Sequence, residues 1–149
     1  MYNKIFSLIQ SIIIDILIYI KKLVGIKHTT FRLKSGEKIK TRNIDIVGLA
    51  LLKGERFEAK TRQAIMSRVC EGMTVLDIGA NIGYYTIQIA RKIGDKGKVV
   101  AFEPNPIIMA ELQYNIKLNK LNNVLTEQLA LSDVEGSSIF CVPEPGRES

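Results

Sequence analysis

The segment TVLDIGANIGYYTI, residues 74–87, restricts the fold of this chain more than any other part of the sequence. Residues 75–78 are apolar except for one acid, and such a short run predicts a parallel strand that is buried on both faces. Residues 79–83 predict a tight loop, and apolar residues at helical spacing from Tyr85 to Ile93 predict a helix after it. A strand, a glycine loop and a helix N-terminus form a site for a nucleotide-like ligand, because backbone N–H groups point outward and absent side chains allow close approach.

The spacing within the loop separates one class of nucleotide cofactor from another. A dinucleotide-binding loop reads G-x-G-x-x-G and places three glycines beneath a pyrophosphate. Here the pattern is Asp77-x-Gly79-x-Asn81-x-Gly83. Asn81 replaces the middle glycine, and Asn is the residue other than glycine that best tolerates a positive φ. The carboxylate of Asp77 would repel a pyrophosphate but would accept hydrogen bonds from an ammonium group. The pattern therefore favours the amino-acid end of S-adenosylmethionine over NAD.

A second acidic position agrees with this prediction. Residues 98–104 read as the next strand, and Glu103 at its end lies 20 residues beyond Gly83. In βαβ units of this type, an acid at the tip of the second strand binds the two hydroxyls of a ribose. Two such signals in register are more specific than either alone. We therefore predict a nucleoside-cofactor site rather than an ordinary turn with a surface glutamate, and its expected contacts include Asp77, Gly79, Ala80, Asn81, Gly83 and Glu103.

Four segments, in chain order within roughly residues 57–142, resemble the FkbM-type S-adenosylmethionine-dependent methyltransferases. They are VLDIGANIGYYT (75–86), GKVVAFEPNP (97–106), NIKLN (115–119) and ALSD (130–133). The resemblance implies S-adenosylmethionine as cofactor and O-methyl transfer to a small molecule such as a sugar, to a glycan or to a secondary metabolite. It also implies that Ser132 and Asp133, at the tip of the third strand, lie near the adenine ring. An unremarkable turn is the competing interpretation of these two residues.

The resemblance implies an α/β, Rossmann-like class I methyltransferase fold, preceded by an N-terminal helix and a β-hairpin. Alternating residues between Thr29 and Ile46, with a turn at Ser35-Gly36, predict the hairpin. Residues 58–69 read as the helix before the first core strand. We expect three segments, namely an apolar, amphipathic helix over residues 1–26, the hairpin with a short helix (44–52) over residues 27–56, and a partial methyltransferase domain over residues 57–149.

The remaining elements follow the second strand. Asn105 is placed to cap a helix whose first position is Pro106. The predicted buried face of this helix consists of Ile108, Leu112 and Ile116. Residues 124–131 predict the third parallel strand, and residues 136–142 predict a further short strand.

Only three strands of the seven-stranded class I sheet have a match in the sequence. The fourth strand, which helps to bind the acceptor in this fold, has none. We therefore expect the first core strand to carry an unpaired apolar edge, and the chain to be the cofactor-binding part of a longer protein. On this basis, the chain alone is expected not to methylate an acceptor and to aggregate or to dimerise through its edge strand.

No residue is assigned as the catalytic base. Glu58 is a candidate only because an acid recurs there in the family that the chain resembles. His28, the single histidine, is expected to be structural or exposed. Two functional alternatives stay open. One is an NAD- or FAD-binding Rossmann oxidoreductase half-domain, and the other is a non-catalytic, membrane-associated fragment that binds the cofactor.

The N-terminal segment is unusually apolar over residues 5–26. A bilayer span needs about 20 apolar residues with few charges, whereas Asp15 in the middle of this segment would cost about 2.5–3.5 kcal/mol at the bilayer centre. The polar residues of the segment fall on one narrow stripe of a helix. We therefore rank a helix at a membrane surface or bound to a partner above a helix packed on its own domain, and a true span last.

Charge is divided unevenly along the chain. Residues 1–70 hold 14 Lys and Arg against 5 Asp and Glu, and residues 71–149 hold 7 against 10. The basic half suits nucleic acid, an anionic membrane or simply solvent. Because no zinc-ligand spacing and no RNA-binding aromatic signature are present, we predict no nucleic-acid partner and no metal. Cys70 and Cys141 read as reduced thiols, which favours the cytoplasm, including the inner face of the membrane.

Overall fold

The computed structural model describes residues 9, 12, 13, 16, 17, 19, 20, 23–26, 28–42, 58–137 and 139. The chain divides into two compact units, Met1–Arg68 and Val69–Ser149. The finer division into segments 1–26, 27–56 and 57–149 stays a prediction.

The first unit contains the predicted hairpin. Its strands are β1 (His28–Arg32) and β2 (Lys38–Arg42), which pair antiparallel with Phe31 opposite Ile39. The turn closes with a hydrogen bond from Leu33 N–H to the Glu37 carbonyl at 2.8 Å. Helix α1 (Ala59–Arg68) follows in the same unit, within one residue of its predicted bounds, and none of its residues is buried.

The described positions of the N-terminal segment are helical at eight places between residues 9 and 23, and their apolar side chains are exposed. The polar stripe of this segment and the short helix predicted over residues 44–52 lie outside the described residues. Among the residues that the structure describes, no helix combines the length and the apolar character that crossing a bilayer requires. Attachment to a membrane surface stays a prediction.

The second unit holds a three-stranded parallel sheet in the order β3-β4-β5, which confirms the predicted Rossmann-like arrangement. The elements in chain order are β3 (Thr74–Ile78), α2 (Tyr84–Ile93), β4 (Lys98–Phe102), α3 (Pro106–Leu118) and β5 (Val124–Glu127). The third strand is shorter than the predicted 124–131. Its pairing stops at Glu127 because its neighbour β4 ends opposite it, at Phe102. Of the further strand predicted over residues 136–142, positions 136, 137 and 139 are not in a strand and the rest lie outside the described residues.

Both crossover helices cover the same face of this sheet. The Thr86 hydroxyl of α2 reaches Asp77 on β3, and Met109 and Leu112 of α3 pack with Ala101 on β4. Asp77 and Ala101 are register partners and therefore point to one side. Right-handed crossovers between successive parallel strands place their helices in this way.

The other face of β3 contradicts the prediction of a strand buried on both sides. Leu76 is 59% exposed and Ile78 is 64% exposed. The prediction was wrong because an apolar run reports only the side chains on each face, whereas burial also needs an element that packs on them. These two residues lie on a face of the sheet, whereas the sequence analysis expected an unpaired edge; among the described residues β3 pairs with β4 on one edge and with no strand on the other.

Helix α3 also buries a different set of residues from the predicted one. It begins as expected, with Pro106 at its start and the Asn105 side chain accepting from Ile107 N–H at 2.9 Å. The buried residues are Met109, Leu112 and Asn115, whereas the predicted Ile108 and Ile116 are only half-buried. The prediction is right for Leu112 but missed Asn115, because it selected apolar residues and the buried face includes a polar one.

Candidate functional site

The loop between β3 and α2 adopts the conformation that its residues predict. Gly79, Asn81 and Gly83 all have positive φ, at 76°, 50° and 93°. The N–H groups of Gly79 and Ala80 donate to the Phe102 carbonyl at 3.0 and 2.9 Å, which ties the start of the loop to the end of β4. A third bond, from Gly83 N–H to the Ala80 carbonyl at 3.0 Å, closes the turn. The loop therefore lies at the carboxyl edge of the sheet, where open α/β sheets bind ligands.

Glu103 holds the middle of this loop. Its side chain is only 8% exposed. Oε2 accepts a hydrogen bond from Asn81 N–H at 3.0 Å, and Oε1 accepts one from Asn105 N–H at 3.0 Å. Because each carboxylate oxygen has two lone-pair sites, the group retains acceptor capacity for a ligand hydroxyl. The structure thus brings together six of the predicted contacts, Asp77, Gly79, Ala80, Asn81, Gly83 and Glu103.

Asp77 is held by a residue that the sequence analysis missed. The Thr86 hydroxyl, fully buried in the first turn of α2, donates to Asp77 Oδ2 at 2.5 Å. Burial raises the pKa of the Asp77 carboxyl above its usual value, and hydrogen bonds from the Thr86 hydroxyl and backbone oppose that rise. The available signal was that Thr86 is the only Ser or Thr in the helix after the loop.

Helix α3 supports the loop from behind. The fully buried Asn115 side chain donates from Nδ2 to the Ile82 carbonyl at 2.9 Å. A Cβ at Gly83 would lie 2.7 Å from Leu112 Cδ1, and φ at this position is 93°, so both the close contact and the backbone conformation favour glycine. The NIKLN segment marked Asn115 in the sequence, but only the fold shows that its amide satisfies a carbonyl of the loop.

Two predicted contacts are not placed with the others. Ser132 and Asp133 are exposed in the segment that follows β5, where Ser132 Oγ donates to Asp133 Oδ1 at 3.2 Å. Their position near an adenine ring stays a prediction. Glu58 is exposed at the start of α1, with φ at 46°, and His28 is exposed in β1, so neither gains support as a catalytic group.

A cleft of about 470 Å³ elsewhere in the second unit does not coincide with this site. Its lining includes Gly97, Lys98 and Asn123, which lie at the amino ends of β4 and β5. The loop of residues 79–83 lies at the opposite edge of the sheet. The candidate site is therefore assigned from the chemistry of its residues and not from the position of this cleft. Within the part of the chain that the structure describes, no three or more His, Cys, Asp or Glu residues are grouped to hold a metal ion.

Proteins of known identity resemble this chain over most of its length. The tRNA(Phe) (4-demethylwyosine(37)-C(7)) aminocarboxypropyltransferase of Methanocaldococcus jannaschii is 36% identical over 117 residues, which are 78% of this chain and 44% of that protein. The structure of P. horikoshii TYW2 in complex with MeSAdo gives a TM-score of 0.56 at 28% identity, covering 74% of this chain and 39% of that one. That of M. jannaschii TYW2 with AdoMet gives 0.52 at 31% identity, covering 72% and 44%.

These relatives overturn the predicted resemblance to FkbM-type enzymes. The predicted sugar, glycan or secondary-metabolite acceptor and the prediction of no nucleic-acid partner are wrong as well, because the M. jannaschii relative is an enzyme that acts on tRNA. The motifs led to the wrong family because the best-defined of them form the candidate cofactor loop and its supports, which distinguish poorly among class I families. The alternative of an NAD- or FAD-binding oxidoreductase is not favoured either. Residues 44–140 match the TRM5/TYW2 methyltransferase domain, and the chain belongs to that family.

Proposed function

We propose that this chain binds S-adenosylmethionine and belongs to an enzyme that transfers part of this cofactor to a base of tRNA. The observation that carries the proposal is the loop of residues 79–83 placed between Asp77 and Glu103, in a chain of this family. The tRNA-modifying relative and the TYW2 structures with AdoMet and MeSAdo support the cofactor and the acceptor class. The chain spans less than half the length of that relative, so the activity of a whole protein is part of the proposal.

The described groups match the chemical groups of this cofactor. Glu103 offers two carboxylate oxygens to the ribose hydroxyls, and charge-assisted hydrogen bonds of this kind are the strong ones. Asp77 offers an acceptor to the ammonium group of the amino-acid end. An approaching cation favours the ionised carboxylate, so binding would offset the rise in the Asp77 pKa that burial causes. The neutral backbone of Gly79 leaves open space above the loop, since an added Cβ would meet nothing within 4 Å.

Two transfers are compatible with this cofactor. In methyl transfer, a base atom attacks the sulfonium methyl carbon, the S–C electron pair goes to sulfur, and S-adenosylhomocysteine leaves. In aminocarboxypropyl transfer, the attack falls on the side-chain carbon bonded to sulfur, and methylthioadenosine leaves. In both, the base loses a proton. The family description favours the first, and the name of the M. jannaschii relative favours the second.

Calorimetry tests the cofactor. S-adenosylhomocysteine should bind, and Glu103→Gln should weaken binding by about 1.5–3 kcal/mol, because a Gln amide cannot accept from both Asn81 and Asn105. Glu71→Gln, at an exposed acid in a turn outside the site, is the matched control and should bind like the parent. Tighter binding of NADH than of S-adenosylhomocysteine would reject the proposal.

Labelled cofactor tests the transfer. A tRNA transcript is incubated with the whole enzyme to which we propose this chain belongs, because the chain alone is expected not to transfer a methyl group. The S-adenosylmethionine is labelled either in the methyl group or in the carboxyl carbon. Methyl label in the RNA would identify methyl transfer, and carboxyl label would identify aminocarboxypropyl transfer. If neither label enters the RNA, the proposed activity fails, while calorimetry still decides the cofactor.

A further inference from the structure

The hairpin of the first unit has one strongly basic face. In an antiparallel pair, residues directly opposite each other point to the same side. The register therefore places Thr30 with Lys40, and Arg32 with Lys38, on one face, and Phe31 with Ile39 on the other. The second face is the packed one, with Ile39 fully buried. The first face carries the exposed Thr30 and Arg32.

The hairpin is rich in basic residues. Residues 28–42 contain five Lys and Arg and a single acid, Glu37. Glu37 lies in the turn, and its side chain is only 5% exposed. Arg32 and Lys38 are direct cross-strand partners, and like charges in that relation destabilise a strand pair. Arg32 is exposed and Lys38 and Lys40 are half-buried, so three cations lie together on one face of this short ribbon.

From this arrangement we infer that the basic face of the hairpin binds the phosphate backbone of the RNA substrate. The inference rests on the proposed function for the choice of RNA. A two-stranded ribbon places alternate side chains about 6.5 Å apart along each strand, so several cations line up along one direction. The deep groove of an RNA helix is too narrow to be read by side chains. The hairpin therefore contacts phosphates and positions the RNA without reading its sequence.

The composition of the face favours RNA over a membrane surface. Its described positions are His28, Thr30, Arg32, Lys38 and Lys40, with no Phe, Tyr, Trp or aliphatic residue among them. Proteins that bind a bilayer surface combine cations with apolar side chains that enter the headgroup region. A face of cations and polar residues without apolar side chains is suited to a polyanion whose charges stay in water.

The test compares two triple variants with the same change in charge. Arg32→Gln, Lys38→Gln and Lys40→Gln remove the face, and Lys60→Gln, Lys96→Gln and Lys117→Gln remove three exposed cations elsewhere. Binding of a tRNA transcript is measured by fluorescence anisotropy over a salt series, with circular dichroism as a check on folding. The hairpin variant should bind at least ten-fold more weakly, and the slope of log Kd against log salt should fall by about 2 to 3. The control variant should lose less than three-fold.

Each other result has a defined meaning. If the parent binds RNA and both variants weaken it equally, the hairpin inference is wrong while the proposed function stands. If the parent binds no RNA, the tRNA acceptor fails, and the hairpin inference fails with it. Vesicles containing phosphatidylserine form the second arm. If the hairpin variant loses binding to these vesicles and keeps its RNA binding, the face binds a membrane and the hairpin inference is wrong. Calorimetry with S-adenosylhomocysteine should give the parent value for both variants.

Discussion

The two faces of the β3-β4-β5 sheet have similarly apolar sequences and very different surroundings. On the helix-covered face, Val99 and Ala101 are completely buried, whereas Leu76 and Ile78 on the other face are mostly exposed. The hydrophobic pattern alone would assign both faces of the sheet to the core. An apolar pattern identifies a face that would be stabilised by burial. Only the topology shows whether another element packs on that face and buries it.

The covered face also holds the polar groups of the candidate site. Asp77, Thr86 and Asn115 all lie between the sheet and the two helices, and each makes a hydrogen bond of 2.9 Å or less. A buried polar group that lost its partner would cost about 1–3 kcal/mol, so these bonds fix one geometry of the loop. The open face has no comparable network in the described residues. The site is therefore specified by the same packing that buries the covered face.

The first prediction compares one leucine from each face. Leu112→Ala should lower the free energy of unfolding by about 2–5 kcal/mol, because it leaves a cavity beneath Gly83 and Ala101. Leu76→Ala, at an exposed position, should change it by no more than about 0.5 kcal/mol. Urea titration of both variants measures the difference. Equal losses would mean that the open face is covered in solution.

The second prediction compares the two sides of the loop. Gly83→Ala should cost about 2–4 kcal/mol, since it adds a contact of 2.7 Å with Leu112 to the strain of a positive φ. Gly79→Ala has open space and should cost only the strain, about 1–2 kcal/mol, but it should weaken S-adenosylhomocysteine binding because the methyl group enters the ligand's space.

Gly72→Ala is the matched control for both variants. It has a positive φ and open space, and it lies in a turn at the other end of β3. Denaturation and calorimetry together separate strain, packing and ligand contact. If Gly79→Ala binds the cofactor as tightly as Gly72→Ala does, the ligand does not lie above Gly79.

The third prediction concerns the charge on the covered face. Because burial raises the pKa of Asp77, the folded state binds this proton more tightly than the unfolded chain does. The stability contributed by this group is therefore fully present at acidic pH and is lost as the pH rises through the raised pKa. Asp77→Asn should remove this dependence, and at neutral pH it should be at least as stable as the parent. The pH dependence that Asp77→Asn removes has a slope of at most about 1.4 kcal/mol of unfolding free energy per pH unit.

The measurement is the difference in unfolding free energy between parent and Asp77→Asn at several pH values. Thr86→Val should raise the pH at which the stability contributed by Asp77 is lost. It removes the hydroxyl whose hydrogen bond opposes the rise in the Asp77 pKa. A difference that grows in favour of the parent as the pH rises would contradict the assignment. The Asn variant should also bind S-adenosylhomocysteine more weakly, since it lacks the negative charge for the ammonium group.

Local chemistry made the loop predictable, and long-range packing made its supports unpredictable. Positive φ at Asn81 and the cap at Asn105 follow from residue type and position within a few neighbours. Thr86 and Asn115 act on atoms 9 and 33 residues away, which no local pattern reports. The end of β5 depended on where β4 ends. The acceptor class was predicted wrongly because the motifs that led to the family were those of the cofactor half.

The last prediction has the smallest expected effect on the free energy of unfolding, and it concerns association between copies of the chain. In the described part of the chain, β3 pairs only with β4, so its other edge has no strand beside it, and Ile78 is exposed on the open face. Unpaired edges with apolar side chains promote strand pairing between molecules. Light scattering of the purified chain should therefore show a mass that rises with concentration.

Ile78→Lys should shift the protein toward a monomer, because a charged side chain on an edge strand opposes such pairing. Its effect on the free energy of unfolding should stay within about 0.5 kcal/mol, since the side chain it replaces is exposed. Leu129→Lys, at an exposed leucine beyond the end of β5, is the control and should leave the mass unchanged. If the parent is monomeric at every concentration, the prediction is wrong. If Leu129→Lys lowers the mass as strongly as Ile78→Lys does, the open face is not the cause of association.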